Sequence, residues 1–309
     1  MVASAREQYT DLRHQLEAIG YPPEEASAVA RALLTAICGV TDAAWHLKLD
    51  ELTLSETQQT RYRAAVTRLK QGEPLQYVLG EAPFGPLVLS VEPAVLIPRP
   101  ETEELCSHIV SAQKLGKKAQ NPHTDKGLRI LDLGCGSGAI SLYLAYILKN
   151  SVVYGIEKSR NALAIARQNA ARYADQLAGT VHFLQGDMLH PETFASHLEQ
   201  IDIIVSNPPY VTEAEKAYLE PRVAAYEPAE ALFAPPEDAL FFYRAIARLL
   251  SQIALNDPCS LYLELNSTTA EQTLELFRNT KYCTSVQIER DLSGKQRFLE
   301  AIIEDKSIQ

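Results

Sequence analysis

The residues best suited to chemistry are Asn207-Pro208-Pro209-Tyr210, which directly follow the apolar run Ile201-Asp202-Ile203-Ile204-Val205-Ser206. Two consecutive prolines cannot continue a ladder of backbone hydrogen bonds, so a strand must end at this point. An amide, rigid carbonyls and an aromatic ring then stand at the carboxyl end of the strand. We expect this run to hold a planar, nitrogen-bearing group; a proline-rich turn without a chemical role is the alternative.

A nitrogen conjugated to a π-system is a poor nucleophile, so its N–H groups must be held by acceptors that direct its lone pair at a reactive methyl group. The Asn207 side-chain oxygen and the Pro208 carbonyl can accept from these N–H groups, and Tyr210 can stack on the planar group. No strong base is needed if the proton leaves after methyl transfer. We predict catalytic roles for Asn207, Pro208 and Tyr210, and substrate contacts from all four residues, Pro209 included.

A second motif, Asp132-Leu133-Gly134-Cys135-Gly136-Ser137-Gly138-Ala139, follows an earlier predicted strand. Three glycines in five residues let backbone amides approach a ligand at a helix start, where N–H groups are unpaired. Glu157 ends the next strand, where an acid can bind the ribose hydroxyls of either NAD or S-adenosylmethionine. Asp132 favours S-adenosylmethionine, because a carboxylate there can help hold a methionine amino group. A purely structural glycine turn is the alternative.

Gln185-Gly186-Asp187-Met188 ends the third strand of this series. Asp187 can accept from the exocyclic amine of adenine, while Met188 can offer its N–H to a ring nitrogen and cover a ring face. A turn aspartate alone is weak evidence. Together, Asp132, Glu157 and Asp187 place acids at the ends of three successive strands, which predicts a cofactor pocket.

The elements that must position these residues alternate between strand and helix from Leu128 onward, which predicts a mostly parallel sheet with helices on both faces. The predicted strands are Arg129–Leu133, Val152–Glu157, Val181–Gln185, Ile201–Ser206, Cys259–Leu265, Ser285–Arg290 and Arg297–Ile303. The predicted helices are Glu101–Gln113, Ala139–Lys149, Arg160–Tyr173 and Asp238–Gln252, with a surface loop from Lys114 to Lys126. The short connection between the last two strands permits only an antiparallel pair.

The first 75 residues are predicted to be helical. One stripe at helical spacing consists of Tyr9, Leu12, Leu16 and Ile19, and a second, after Pro22-Pro23, consists of Ala26, Val29, Ala30, Leu33, Leu34 and Ile37. A later helix should begin after Ser55 in a capping box with Gln58, run to Lys70 and stop at Gly72. The stretch Pro74–Pro98 has short β-type runs and predicts a hairpin linker.

This pattern predicts a helical domain at 1–75, a β-hairpin linker at 76–97 and an α/β domain at 98–309. The helical domain is either a structural bundle or a substrate-docking domain. With 309 residues and 46% hydrophobic content, the chain can bury a full core. No apolar run is long enough to span a bilayer and no secretory signal opens the chain, so we expect a cytoplasmic protein.

Five scattered cysteines without a Cys-x-x-Cys pair indicate packing in a reducing compartment and give no metal spacing. The net charge of −10 argues against a protein that holds duplex nucleic acid mainly through its phosphates. We therefore expect no metal, no stable binding to nucleic acid or membrane, and a monomer.

Further motifs accompany the two described above: Val95–Glu103, Tyr226-Glu227-Pro228, Ala231-Leu232-Phe233, Phe242-Tyr243-Arg244 and Asp291–Arg297. With these motifs, and over nearly its whole length, the chain resembles the glutamine N5-methyltransferases that modify peptide-chain release factors. The resemblance implies an α/β fold, a seven-stranded, mostly parallel Rossmann-like sheet of the S-adenosylmethionine-dependent methyltransferase kind, with a small all-α N-terminal domain and a β-hairpin linker.

The resemblance also implies methyl transfer from S-adenosylmethionine, with S-adenosylhomocysteine as product, to the side-chain amide of the glutamine in the Gly-Gly-Gln motif of class 1 release factors. The family's cofactor positions carry over to Gly134, Cys135, Gly136, Ser137, Gly138, Glu157, Asp187, Met188 and Asn207. The chain departs from the family pattern at Ala234–Ala239, where a glycine turn is usual, and at Asn266, where glycine is usual. We expect altered loop geometry at both places.

Three alternatives remain. A related methyltransferase modifies a glutamine of a ribosomal protein, but Pro98–Glu103 favours the release-factor branch. An adenine-N6 DNA or guanine-N2 RNA methyltransferase could use the same Asn-Pro-Pro-Tyr run after base flipping, but the acidic balance counts against it. A binding module built on a degenerate cofactor scaffold is the non-enzyme alternative.

Overall fold

A computed structural model describes residues 4–114 and 127–304; the predicted loop after Lys114 lies outside them. The chain divides into two compact units. The helical unit comprises Met1–Glu81 and Glu220–Tyr226, and the sheet unit comprises Ala82–Leu219 and Glu227–Gln309.

The described residues form thirteen α-helices: α1 Ala5–Ala18, α2 Pro23–Cys38, α3 Asp42–Lys48, α4 Glu56–Lys70, α5 Leu75–Leu79, α6 Pro100–Lys114, α7 Ala139–Ile147, α8 Arg160–Tyr173, α9 Glu213–Lys216, α10 Pro221–Tyr226, α11 Ala229–Leu232, α12 Phe241–Leu249 and α13 Ala270–Arg278. Their strands are β1 Glu81–Phe84, β2 Leu87–Ser90, β3 Arg129–Leu133, β4 Val152–Glu157, β5 Thr180–Gln185, β6 Ile201–Ser206, β7 Leu255–Glu264, β8 Cys283–Arg290 and β9 Gln296–Ile303.

The helical unit is built around the predicted apolar stripes. All six residues of the second stripe are buried in α2, and Leu12 and Leu16 are buried in α1. Ile19 is 45% exposed, contrary to the first stripe, because α1 ends at Ala18 and the chain turns at Gly20 with φ of 101°. No single described helix is long and apolar enough to cross a bilayer; α2 and α3 pass that test only as a pair bent by 93°.

Helix α4 begins at the predicted capping box. The Ser55 hydroxyl accepts from the Gln58 N–H at 3.3 Å, and the Gln58 side chain accepts from the Ser55 N–H at 2.9 Å. These two bonds satisfy donors that the first helical turn leaves free. The prediction that this helix runs to Lys70 is confirmed.

The predicted β-type linker is wrong at its start. Leu75–Leu79 forms α5 and buries Tyr77, while the hairpin is confined to β1 and β2. Pro74 lacks an N–H and has φ of −55°, which suits the residue that precedes a first helical turn. Gly80 then ends the helix in the left-handed region, with φ of 77°.

The larger sheet of this unit contains seven strands in the order β5-β4-β3-β6-β7-β9-β8. The first five are parallel, and β9 pairs antiparallel with both β7 and β8. The prediction of a mostly parallel seven-stranded sheet with an antiparallel final pair is therefore confirmed. Since β3 lies between β4 and β6, the chain order reverses there, which is where open α/β sheets bind their ligands.

Both faces of the sheet are covered. Successive residues of β6 illustrate this, because Ile203 and Val205 belong to one buried apolar cluster while Ile204 belongs to the other. Every residue of β6 is buried, as expected for a central parallel strand. The sheet thus presents its strand ends, rather than its faces, to a ligand.

Candidate active site

The glycine loop between β3 and α7 takes a conformation that needs its glycines. Gly134, Gly136 and Gly138 have φ of 73°, 54° and 84°, in the left-handed region that side chains other than glycine rarely adopt. A Cβ on Gly138 would lie 2.8 Å from the ring of Phe183. The N–H groups of Gly134 and Cys135 donate to the Ile156 carbonyl at 2.9 and 3.0 Å, which holds the loop against the end of β4.

A cavity lies at the carboxyl ends of the central strands within the sheet unit. Seven of the predicted site residues line it: Gly134, Gly136, Glu157, Asp187, Met188, Asn207 and Pro209. Five others do not: Cys135, Ser137, Gly138, Pro208 and Tyr210. The second group consists of neighbours of the first, in the glycine loop and in the Asn-Pro-Pro-Tyr run.

Glu157 joins the glycine loop to the end of β4. Its Oε2 accepts from the Gly136 N–H at 2.9 Å and its Oε1 from the Ser159 N–H at 2.8 Å. Burial raises the pKa of Glu157 above its ordinary value, against the lowering effect of these N–H donors. Each carboxylate oxygen keeps a second lone pair, so the group can still accept from hydroxyls that enter the cavity.

Asp187 follows β5 and carries a negative charge into the cavity lining. Its Oδ1 accepts from the Leu189 N–H at 2.9 Å, and its Oδ2 lies 3.0 Å from Nζ of Lys158. Partial burial raises the pKa of Asp187, but the Leu189 N–H and Lys158 outweigh it and hold that pKa below its usual value. Met188 beside it lines the same cavity.

Asp132 lies beneath the cavity and does not line it. It is fully buried, and its Oδ2 accepts from the Ser141 N–H at 3.1 Å and the Ser141 hydroxyl at 2.6 Å. Its Oδ1 has no hydrogen-bond partner among the described residues. Burial raises the pKa of Asp132 to about 7. The observed contacts make it an anchor for the start of α7, and a contact with a methionine amino group stays a prediction.

The Asn-Pro-Pro-Tyr run is held from below by two residues that sequence reasoning did not assign to the site. Nδ2 of Asn207 donates to the Thr102 hydroxyl at 2.9 Å, and this hydroxyl donates to Oε2 of Glu264 at 2.6 Å. The Tyr210 hydroxyl donates to Oε1 of Glu264 at 2.9 Å. One buried carboxylate therefore connects both ends of the run. A sequence signal existed for Thr102, which lies in the stretch Val95–Glu103 quoted for the family resemblance. Glu264 was placed only near the end of a predicted strand.

Arg99 and Glu227 join two chain segments that line the cavity. Nη2 of Arg99 donates to Oε1 of Glu227 at 2.5 Å, and the Ile97 N–H donates to Oε2 at 3.2 Å. The neighbouring lining residues, none of which was predicted, are Ala94, Val95, Leu96, Pro228, Glu230 and Ala231. The motifs around Pro98 and Glu227 thus form one wall.

Asn266 stands where the family resemblance predicts a glycine, and its side chain makes bonds that a glycine could not make. Its Nδ2 donates to the Tyr210 carbonyl at 3.0 Å and to Oε2 of Glu215 at 2.7 Å. Its Oδ1 accepts from the N–H and hydroxyl of Thr268. Asn266 therefore joins the end of β7 to the segment that follows Tyr210.

The fold and the site define a methyltransferase. Residues 124–297 match the family model described as a methyltransferase domain, and residues 7–80 match the PrmC N-terminal domain. The release factor glutamine methyltransferase of Bacteroides thetaiotaomicron is 37% identical over 290 residues, which cover 94% of this chain and 97% of that protein. The enzyme of the same name from Flavobacterium psychrophilum is 36% identical over 250 residues, covering 81% and 82%.

The chain belongs to the release factor glutamine methyltransferase family. The predicted family and the predicted methyltransferase class of enzyme are therefore confirmed.

Proposed function

We propose that the chain transfers a methyl group from S-adenosylmethionine to the side-chain amide nitrogen of the glutamine in the Gly-Gly-Gln motif of class 1 release factors. One observation carries this proposal: Asn207 and Pro209 line the same cavity as the glycine loop, Glu157 and Asp187. The residues predicted to hold a planar nitrogen and those predicted to hold an adenosine cofactor therefore line one cavity. Family membership supplies the substrate class.

The residues present fit S-adenosylmethionine. A Cβ placed on Gly136 would meet nothing within 4 Å, so the loop leaves space beside a lining residue. Glu157 can accept from ribose hydroxyls, Asp187 from the adenine amine, and Met188 can cover a ring face. When bound, S-adenosylmethionine supplies an electrophilic methyl group. Among the described residues, no cluster of three His, Cys, Asp or Glu side chains is placed to hold a metal ion.

The chain's own residues orient the substrate. The Asn207 side-chain oxygen and the Pro208 carbonyl accept from the glutamine N–H groups, which leaves the nitrogen lone pair free to face the methyl group. Tyr210 stacks on the planar amide. Positioning in a partly buried site then lowers the barrier, and the proton leaves to solvent after the transfer.

The test is a methylation assay with S-adenosylmethionine and purified, unmethylated class 1 release factor, followed by mapping of the methyl group by mass spectrometry. We expect it on the Gly-Gly-Gln glutamine. Asn207→Ala should abolish the product, while Asn279→Ala, an exposed asparagine at the end of α13, should not change the yield. Parallel reactions with ribosomal proteins and with nucleic acid test the two alternatives, and a product in either one alone would overturn the proposal.

We further propose a cytoplasmic enzyme whose N-terminal helical domain, residues 1–75, docks the release factor. The match of residues 7–80 to a family-specific N-terminal domain supports this role. Hydrogen exchange of the full chain tests it, because docking should slow amide exchange in α1–α4 when release factor is added. Unchanged exchange there, with methylation intact, would leave this domain a structural bundle.

A further inference from the structure

We propose that Thr102 and Glu264 are positioning residues that fix the direction of the hydrogen bonds at Asn207, so that the Asn207 side-chain oxygen faces the substrate nitrogen. The inference rests on the proposed function, since it assigns the cause of the orientation that the reaction requires. Neither residue lines the cavity, and both are buried, with exposures of 5% for Thr102 and 1% for Glu264.

The need for such a device follows from the symmetry of an amide. A half-turn of the Asn207 side chain exchanges Oδ1 and Nδ2 with little change in shape, so packing alone does not choose between them. Only Oδ1 can accept from a substrate N–H. If Nδ2 faced the cavity, Asn207 would present N–H donors to the substrate nitrogen, which also carries N–H donors. The two amide groups would then repel each other.

The carboxylate of Glu264 decides the orientation because an ionised carboxylate only accepts. The Thr102 hydroxyl has one proton, and at 2.6 Å it donates that proton to Oε2 of Glu264. Toward Asn207 the hydroxyl oxygen can then only accept, so the group at 2.9 Å must be the donor Nδ2. Oδ1 is left on the other side, and it accepts no hydrogen bond from the described residues. Glu264 thus fixes which way the Thr102 hydroxyl donates, and that hydroxyl in turn fixes the orientation of the Asn207 amide.

The same carboxylate orients the far end of the run. Its Oε1 accepts from the Tyr210 hydroxyl at 2.9 Å, so each oxygen of Glu264 holds one end of a segment whose middle is two prolines. Thr102 lies in the first turn of α6, and Glu264 is the last residue of β7, which pairs directly with β6. Helix α6 and strands β7 and β6 therefore position Thr102, Glu264 and Asn207, respectively. Burial raises the pKa of Glu264, and the Thr102 and Tyr210 hydroxyls, together with the positive charge of nearby Arg297, oppose that rise by favouring the ionised carboxylate.

A matched pair of variants separates positioning from packing. Thr102→Ser keeps the hydroxyl and loses a methyl group, whereas Thr102→Val keeps the shape and loses the hydroxyl. We expect Thr102→Ser to retain kcat within about threefold and Thr102→Val to lower kcat by about 30-fold or more, with the Kd for S-adenosylmethionine within about twofold for both. If Thr102 only fills space, the order reverses, and that order would overturn the proposal. Thr60→Val, an exposed helical threonine whose hydroxyl also bonds a carbonyl, is the control.

A measurement that needs no turnover tests the orientation itself. In ¹⁵N-labelled protein, the side-chain amide signal of Asn207 is identified by its loss in Asn207→Ala. We expect its protons to exchange slowly in wild type and Thr102→Ser, and at least tenfold faster in Thr102→Val and Glu264→Gln. Equal exchange in all four proteins would refute the proposed hydrogen-bond chain. A wild type that shows slow exchange but methylates no release factor would refute the proposed function and leave the hydrogen-bond chain supported.

Discussion

Arg99 and Glu227 are 128 positions apart in the sequence, yet Nη2 of Arg99 donates to Oε1 of Glu227 at 2.5 Å. The Glu227 side chain is 1% exposed and that of Arg99 is 30% exposed. The pair joins the segment Ala94–Leu96 to the segment Pro228–Ala231, and both line the cavity. One ion pair therefore links two sequence motifs that are far apart in the chain.

Removal of this pair should loosen the cavity wall. In Glu227→Ala, the guanidinium of Arg99 and the N–H of Ile97 lose their acceptor, and we expect the free energy of unfolding to fall by about 2–3 kcal/mol, less than for a fully buried pair because Arg99 is partly solvated. The Kd for S-adenosylmethionine should rise at least fivefold by calorimetry. Glu199→Ala, which breaks the more exposed pair with Arg129, should change stability by less than about 1 kcal/mol. Equal effects of the two variants would contradict the assigned role.

Asn266→Gly introduces the residue that the family resemblance predicts and tests what the asparagine contributes here. It removes the bonds from Nδ2 to the Tyr210 carbonyl and to Glu215, and we expect a loss of about 1–2 kcal/mol in stability. Amide exchange in residues 211–219 should become at least tenfold faster, because this segment loses its link to β7. Cofactor affinity should not change. Unaltered exchange would mean that the bonds of Glu215 to Thr212 and Thr268 suffice.

The bounds of several strands were predictable because they depend on residues that are neighbours in the sequence. Strands β3, β4 and β6 begin and end at the predicted residues, since each is a run of apolar side chains that stops at a glycine, polar or proline-rich segment. Helix α4 was predictable for the same reason, as its capping box uses residues three positions apart. Local patterns also predicted the glycine loop and the Asn-Pro-Pro-Tyr run, each of which contributes two residues to the cavity lining.

The partners of these residues were not predictable from one sequence. Thr102 and Glu264 are 162 positions apart, and before folding a threonine in a first helical turn is an ordinary helix residue. The two side chains meet only because folding packs the start of α6 against the end of β7. Short helices such as α5 and α11 were missed for another reason. With five and four residues they are too short to show a hydrophobic period, and each begins directly after a proline.

Asp132 should make stability depend on pH. Its folded pKa of about 7 exceeds the ordinary value of 3.8, so between these values the native state binds more protons than the unfolded chain, and the free energy of unfolding falls as pH rises through this window. The difference is about 3 pKa units, and at about 1.4 kcal/mol per unit the contribution is about 4 kcal/mol. Asp132→Asn should remove that much of the decline between pH 4 and pH 8 in urea unfolding.

The control for this prediction is Asp175→Asn, an exposed aspartate at the end of α8. Its pH dependence of unfolding should match that of wild type. A decline in Asp132→Asn as steep as in wild type would show that other groups cause it. If Asp132 also holds the methionine amino group, the same variant should bind S-adenosylmethionine more weakly at every pH.

Tyr210→Phe tests the coupling between the substrate run and Glu264. Burial raises the pKa of Glu264, and the Thr102 and Tyr210 hydroxyls oppose this by donating to the ionised form. Without the Tyr210 hydroxyl, that pKa must rise further, so a larger fraction of Glu264 is protonated and able to donate to Thr102. Thr102 can then donate to Asn207 and reverse its amide. We expect kcat at neutral pH to fall by about tenfold, the loss of one hydrogen bond to a charged group.

The acid limb of the kcat profile against pH distinguishes this effect from a simple loss of contact. In wild type, kcat should fall as pH drops through the pKa of Glu264, with Arg297 and Glu101 as the other charged groups that act on it. In Tyr210→Phe the limb should move to higher pH, because the ionised form has lost a donor. In Tyr218→Phe, an exposed tyrosine beyond α9, it should stay in place. An unchanged Tyr210→Phe profile would place the role of Tyr210 in stacking alone, because phenylalanine keeps the ring. A profile lowered uniformly, with an unmoved limb, would show that the hydroxyl acts as a contact and not through the pKa of Glu264.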